Sequence, residues 1–80
     1  MKQRVLKVHS RDNVLVALTD LKKGETIAYE GQEYILQDDI RAKHKFFTSD
    51  MQAGDKVIMY GVLVGTAQQF IPRGGWMNTG

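Results

Sequence analysis

Only two side chains in this sequence change charge near neutrality in their ordinary state, His9 and His44. An imidazole can give or take a proton, touch a substrate, or bind iron. Two imidazoles are too few for a closed metal site, and cysteine is absent, so thiolate ligands and a cysteine nucleophile are excluded. Proton transfer or substrate contact is therefore the chemistry the pair favours. Lys45 and Arg73 add cations. Arginine grips a carboxylate through two parallel bonds and lysine acts as a point charge, so both suit an anionic substrate. Asp12 and Asn13 follow His9 closely enough to orient it, or they close an Asx-type turn, which is the stronger reading. The plainer alternative for the histidines is a hydrogen-bonded rim position. For Lys45 and Arg73 it is a solvated turn tip.

The elements that must position these residues read as strands. Val5 to His9 is apolar with one interruption, and Val14 to Leu18 is a short apolar run suited to a strand buried on both faces. Glu25 to Glu30 alternates, Gly31-Gln32 turns, and Glu33 to Leu36 returns as the second arm of a hairpin. Val57 to Tyr60 and Val62 to Val64 flank Gly61, with Gly65 ending the run; glycines there predict a bulge or a close backbone approach. Ala67 to Ile71 reads as a further strand or a single helical turn, and one more helical turn fits Asp38 to Arg41. No segment carries a sustained helical period. Phe46 and Tyr60 are expected in the core, and Trp76 over an open end of the fold or against a larger domain.

A repeated turn organises the chain. Leu21-x-x-Gly24-x-x-Ile27, Met51-x-x-Gly54-x-x-Val57 and Ile71-x-x-Gly74-x-x-Met77 share one pattern, and Ile40-x-x-Lys43-x-x-Phe46 repeats it with lysine in the glycine slot. An apolar residue anchors the turn, glycine takes a positive φ, and the next apolar residue returns to the core. Lys43 then predicts a left-handed lysine or a different local turn.

Composition bounds the function. Eighty residues with 42% apolar and 25% charged side chains make one globular domain, residues 1–80, with an ordered core of about 4–77. A chain this short buries little more apolar surface than ordering requires, which favours a module that docks on something larger. Eleven basic against nine acidic residues give +2 without a basic stripe, so nucleic acid is not an expected partner. No apolar run reaches membrane-spanning length and no signal-peptide core opens the sequence, so the expected location is cytoplasmic.

Lys7-Val8-His9-Ser10-Arg11-Asp12-Asn13-Val14, then Lys43-His44-Lys45-Phe46, the Met51 to Val57 turn, Tyr60 to Gly65 and Ile71-Pro72-Arg73-Gly74-Gly75-Trp76 occur in that order. The ordered set resembles the N-terminal SAF domain of the altronate and galactarate dehydratases, over about Val5 to Met77. The resemblance implies a mainly β, β-clip fold like a small barrel, with little or no helix, shared with type III antifreeze proteins. It implies a part in a sugar-acid hydro-lyase, altronate dehydratase first, which converts D-altronate to 2-keto-3-deoxy-D-gluconate. On this reading His44 and His9 are the catalytic candidates, and Lys45, Arg73 and Asn13 bind substrate. No metal ligand is expected in the chain; the Fe2+ of the full enzyme would be held by a large catalytic domain or subunit, which is the implied partner. The isolated chain would be inactive. Lys43 departs from the family's usual Gly-His-Lys. A small subunit of a sulfolactate sulfo-lyase, and a non-catalytic carbohydrate- or protein-binding module, stand as alternatives. Sheet edges and Trp76 leave homo-oligomers open.

Overall fold

The computed structural model describes residues 3–77. It is all-β: β1 (Val5–Leu6), β2 (Val14–Ala17), β3 (Thr26–Tyr29), β4 (Gln32–Ile35), β5 (Lys45–Phe47), β6 (Lys56–Met59) and β7 (Val62–Thr66). No helix occurs among the described residues, so the helical turn expected near Asp38 to Arg41 is absent. The small sheets and repeated turns are those of a SAF β-clip domain.

The central sheet runs β1-β2-β5, all antiparallel, with Leu15 opposite Phe46 and Val14 opposite Phe47. Successive strand residues face opposite sides. Leu15 and Phe46 therefore enter one buried cluster with Leu21, Ile27, Tyr34, Leu36 and Ile40. Val14 and Phe47 enter the other with Met51, Val57 and Ala67. This is why the Val14 run is apolar throughout: β2 is covered on both sides. Each fully buried side chain of this size contributes about 1.5–3 kcal/mol. The β3–β4 hairpin closes the first cluster and the β6–β7 hairpin the second.

The four turns explain the pseudo-symmetry. Their closing bonds are identical: Glu25, His44, Asp55 and Gly75 donate backbone N–H groups to the carbonyls of Lys22, Arg41, Gln52 and Pro72. Gly24, Lys43, Gly54 and Gly74 all have φ between 74° and 91°, the third position of a type II turn. The turns work in pairs: Leu21 bridges Ile40, and Met51 bridges Ile71. Carboxylates lock the pairs crosswise. Asp20 accepts from the Ala42 amide, Asp39 from Lys23, and Asp50 from Arg73. The chain thus folds as two similar halves, one on each side of the central sheet, about 30 residues out of phase. The Lys22 amide, followed by Arg4 at 2.8 Å, holds the Glu25 carboxyl below its ordinary value.

Three sequence expectations are corrected. The hairpin turns lie at Glu30-Gly31 and Tyr60-Gly61, where both residues have positive φ as type I′ turns require, so the first turn falls one residue earlier than the glycine suggested. Gly65 does not end β7; it pairs with Val57 inside the strand, beside a bulge between Val57 and Ile58. Ala67 to Ile71 is neither strand nor helix: it is an irregular return whose last residue bridges Met51.

Lys43 occupies the left-handed conformation directly, at φ 74°. A side chain there costs roughly 1–2 kcal/mol relative to glycine, partly offset by glycine's larger unfolded-state entropy. Lys43→Gly should therefore raise stability by about 1 kcal/mol, read as a higher urea midpoint with an unchanged slope. A lower midpoint would show that the lysine side chain makes a contact outweighing the strain.

Candidate functional site

His9 sits in a corner built by Asp12. The Asp12 carboxylate is 5% exposed and accepts from two backbone amides, His9 at 3.1 Å and Gly61 at 2.8 Å. It joins the loop after β1 to the tip of the β6–β7 hairpin. The His9 ring lies on Gly61 so closely that a Cβ there would stand 2.8 Å from ring carbon. Glycine is needed at this position both for φ 76° and for the ring. The Arg11 amide donates to His9 Nδ1 at 3.1 Å. That bond keeps Nδ1 an acceptor, so in the neutral ring the proton sits on Nε2. Beside the same hairpin tip, Lys45 Nζ lies 5.8 Å from the centre of the Tyr60 ring. Tyr60 is 48% exposed, not buried in the core as expected: the type I′ turn at the hairpin tip turns it outward.

His44 belongs to a different corner. His44 closes the turn before β5 and Lys45 opens the strand; the His44 ring meets Trp76 while Lys45 Nζ lies near Tyr60, so the two neighbours serve different corners. The His44 ring stacks on Trp76, with centroids 5.9 Å apart and planes at 23°. The Asp38 carboxylate fixes Trp76 by accepting from its backbone amide at 2.9 Å. His44, Trp76, Arg41 and Asp39 line an open pocket of about 370 Å³. Around one pocket stand a cation that can hold an anion, an imidazole that can move a proton and a flat indole that can cover an apolar face. Arg41 and Trp76 were not among the binding candidates. The signal was in the turn repeat: Arg41 and His44 are the first and fourth residues of one turn, so its closure brings them together.

The remaining candidates lie elsewhere. Asn13 spends its carboxamide on β6: Nδ2 donates to the Lys56 carbonyl at 2.8 Å and Oδ1 accepts from Ile58 at 2.9 Å. Those bonds hold the strand at its bulge. Arg73 lies over the Tyr34 ring, 4.4 Å from its centre, and donates to the Glu33 carbonyl. His9 and Lys45 each lie against the tip of the β6–β7 hairpin, at Gly61 and Tyr60, and Lys45 Nζ also donates to the Lys43 carbonyl at 3.2 Å; His44 lies with Arg41 and Trp76.

Asp12 is the strut of the first corner, which gives a measurable consequence. Asp12→Ala leaves two amides without their charged acceptor and should cost about 2 kcal/mol. The Gly61 amide should also exchange faster, and its NMR shift should move together with that of the His9 ring. An unchanged denaturation midpoint would contradict this role.

Among the described residues, no three His, Cys, Asp or Glu side chains converge to hold a metal ion. The donors nearest to His9 are committed already, since both Asp12 oxygens and His9 Nδ1 accept backbone amides. The described residues do not fit an iron site.

Comparison with known proteins agrees with the turn geometry. The model of the altronate/galactarate dehydratase SAF domain matches residues 3–80. The altronate dehydratase of Bacillus subtilis (strain 168) is 38% identical over 69 residues, covering 86% of this chain and 14% of the relative. The altronate dehydratase of Escherichia coli (strain K12) is 39% identical over the same shares. The galactarate dehydratase (L-threo-forming) of Escherichia coli (strain K12) is 37% identical over 75 residues, 91% of this chain and 14% of the relative. The chain thus spans about one seventh of the length of these relatives. It belongs to the SAF-domain family of the altronate and galactarate dehydratases.

Proposed function

We propose that this chain is the SAF module of a sugar-acid hydro-lyase and that its His44 pocket forms part of the wall of an active site lying mostly in a larger region. The reaction removes water from a 2,3-dihydroxy acid, altronate being the first candidate, and yields a 2-keto-3-deoxy acid. A proton leaves the carbon next to the carboxylate, the neighbouring hydroxyl departs, and the resulting enol becomes the keto acid. Negative charge builds on the carboxylate side as the proton leaves, so a fixed cation there lowers the barrier. Arg41 is placed to hold that carboxylate. His44 serves as the proton-transfer group, kept in plane by Trp76, and Lys45 with His9 forms a second polar corner facing substrate or the larger region. The observation that carries the reading is the stacked His44–Trp76 pair in a pocket with Arg41 and Asp39, in a chain of this family. The iron expected for the full enzyme finds no ligand set among the described residues, so on this reading its ligands belong to the larger region and no step here runs through it.

The experiment is a chimera in which this chain replaces the matching stretch of the Bacillus subtilis altronate dehydratase. Dehydration of altronate and of galactarate is assayed separately. Turnover of either supports the module reading, and the faster substrate names the class. A correctly assembled chimera with no turnover of either acid would contradict it.

A further inference from the structure

The stretch from Val57 to Pro72 contains no charged residue, although a quarter of the chain is charged. It forms most of the β6–β7 hairpin and the return to the fourth turn. It also exposes five large apolar or aromatic side chains: Tyr60, Val62, Leu63, Val64 and Phe70, each between 46% and 59%. β7 is exposed along its whole length and pairs only with β6 among the described residues. A strand edge of this kind recruits another strand unless lysine, proline, a bulge or a covering loop blocks it. Neither lysine nor proline interrupts β7, and its register shift at Val64, opposite Val57 and Ile58, leaves Val62-Leu63 and Gly65-Thr66 as paired strand.

A second observation comes from the crossed carboxylates. In three of the four turns, the residue before the apolar anchor is an aspartate that accepts the amide of the paired turn: Asp20, Asp39 and Asp50. The fourth such position is Phe70. A phenyl ring offers the Ala53 amide no acceptor, and it stands half in solvent. Local stability is forgone here and apolar surface gained, which is the pattern expected where a site serves something beyond the fold. Beside Phe70 opens a pocket of about 340 Å³ whose lining includes Phe47, Ile71, Pro72 and Trp76, with Asp38 as its one charged residue.

We infer that the free edge of β7 and the Phe70 shelf are the docking surface for the larger region of the dehydratase, which adds an extended strand to β7 and sets an apolar side chain beside Phe70. This rests on the module reading above. The occupant follows from two facts. The curated relatives carry 86% of their length outside the stretch this chain matches, which is ample surface to cover it. The neutrality of Val57 to Pro72 suits a partner face that is mainly apolar and bound through main-chain pairing.

Hydrogen exchange compares the 80-residue chain with the Bacillus subtilis chimera. The outward-facing amides of Val62–Thr66 should exchange at least about tenfold more slowly in the chimera. Val64→Lys and Phe70→Asp, made separately, should each abolish that protection. Phe70→Asp should at the same time raise the melting temperature of the 80-residue chain, because it restores the missing carboxylate to the Ala53 amide. Equal exchange of β7 in both proteins would overturn the inference, as would β7 protection in the 80-residue chain that grows with its concentration, which would assign the edge to a second copy. Turnover is read separately. A chimera with β7 protected but no dehydration sinks the module reading and leaves the docking surface standing; dehydration with β7 unprotected does the reverse.

Discussion

Gly74→Ala should cost about 3–5 kcal/mol, most of the stability that a domain of this size has to lose. Two effects add. The residue sits at φ 86°, so any side chain carries the left-handed strain. A Cβ there would also stand 2.1 Å from the Ile35 carbonyl oxygen and 3.1 Å from its carbon. That neighbour is backbone at the end of β4 and has no rotamer to swing away. Gly74 is buried between this carbonyl and Phe47, whose carbonyl accepts its amide at 2.8 Å. Moving the turn would break that bond and the one from Gln37 to the Gly74 carbonyl. Gly54→Ala is the internal control. Its φ is 91°, but nothing lies within 4 Å of the added carbon, so it should lose only about 1–2 kcal/mol. Thermal melts of the two variants should therefore differ by roughly 10 °C or more. Equal losses would mean that the return from Ile71 to Trp76 does not pack against β4 as described.

The same pair of glycines shows what was legible in the sequence and what was not. The apolar-x-x-Gly-x-x-apolar pattern is local, and a type II turn requires a left-handed residue at one position, so the glycine turns could be read directly; for Lys43 the pattern left a left-handed lysine or a different turn, and the structure shows the former. Hairpins followed from alternation and from glycine. The exact hairpin tips did not, because Glu30 and Tyr60 accept left-handed angles that their side chains disfavour. The pairing of turns was not legible either. It depends on Leu21 meeting Ile40 and Met51 meeting Ile71 across the core, and on Asp residues whose partners lie in the paired turn, 16 to 23 residues away. The candidate site divided for a related reason. His44 and Lys45 are neighbours in sequence, yet one closes a turn and the other opens a strand and they meet different partners, while Trp76 arrives at His44 by bridging Phe46 from far along the chain. Asn13 and Arg73 were singled out for their chemistry, and the fold uses both to hold backbone.

The second large effect concerns His44. Among the described residues its imidazole is the histidine ring stacked on an aromatic side chain, in an open pocket that Arg41 also lines. On the proposed reading, in which His44 is the proton-transfer group, its removal should slow turnover by about 10²–10⁴-fold, because the barrier to breaking the C–H bond would no longer be lowered by a positioned base or acid. The ring is exposed and the strand's pairing with β2 uses only backbone, so His44→Ala should leave stability nearly unchanged. Arg41→Ala should act differently, chiefly raising KM, because it removes a hold on the carboxylate more than a step of the chemistry. His9→Ala should fall between the two, since its ring is seated on Gly61 and its loss also loosens the hairpin tip.

The most direct test is the kcat/KM of the chimeric dehydratase carrying His44→Ala, measured with altronate against the unsubstituted chimera at equal folded fraction. A loss of about 100-fold or more, carried by kcat, is the predicted result. A value within twofold of the unsubstituted chimera would contradict the claim that this chain lends His44 to the reaction.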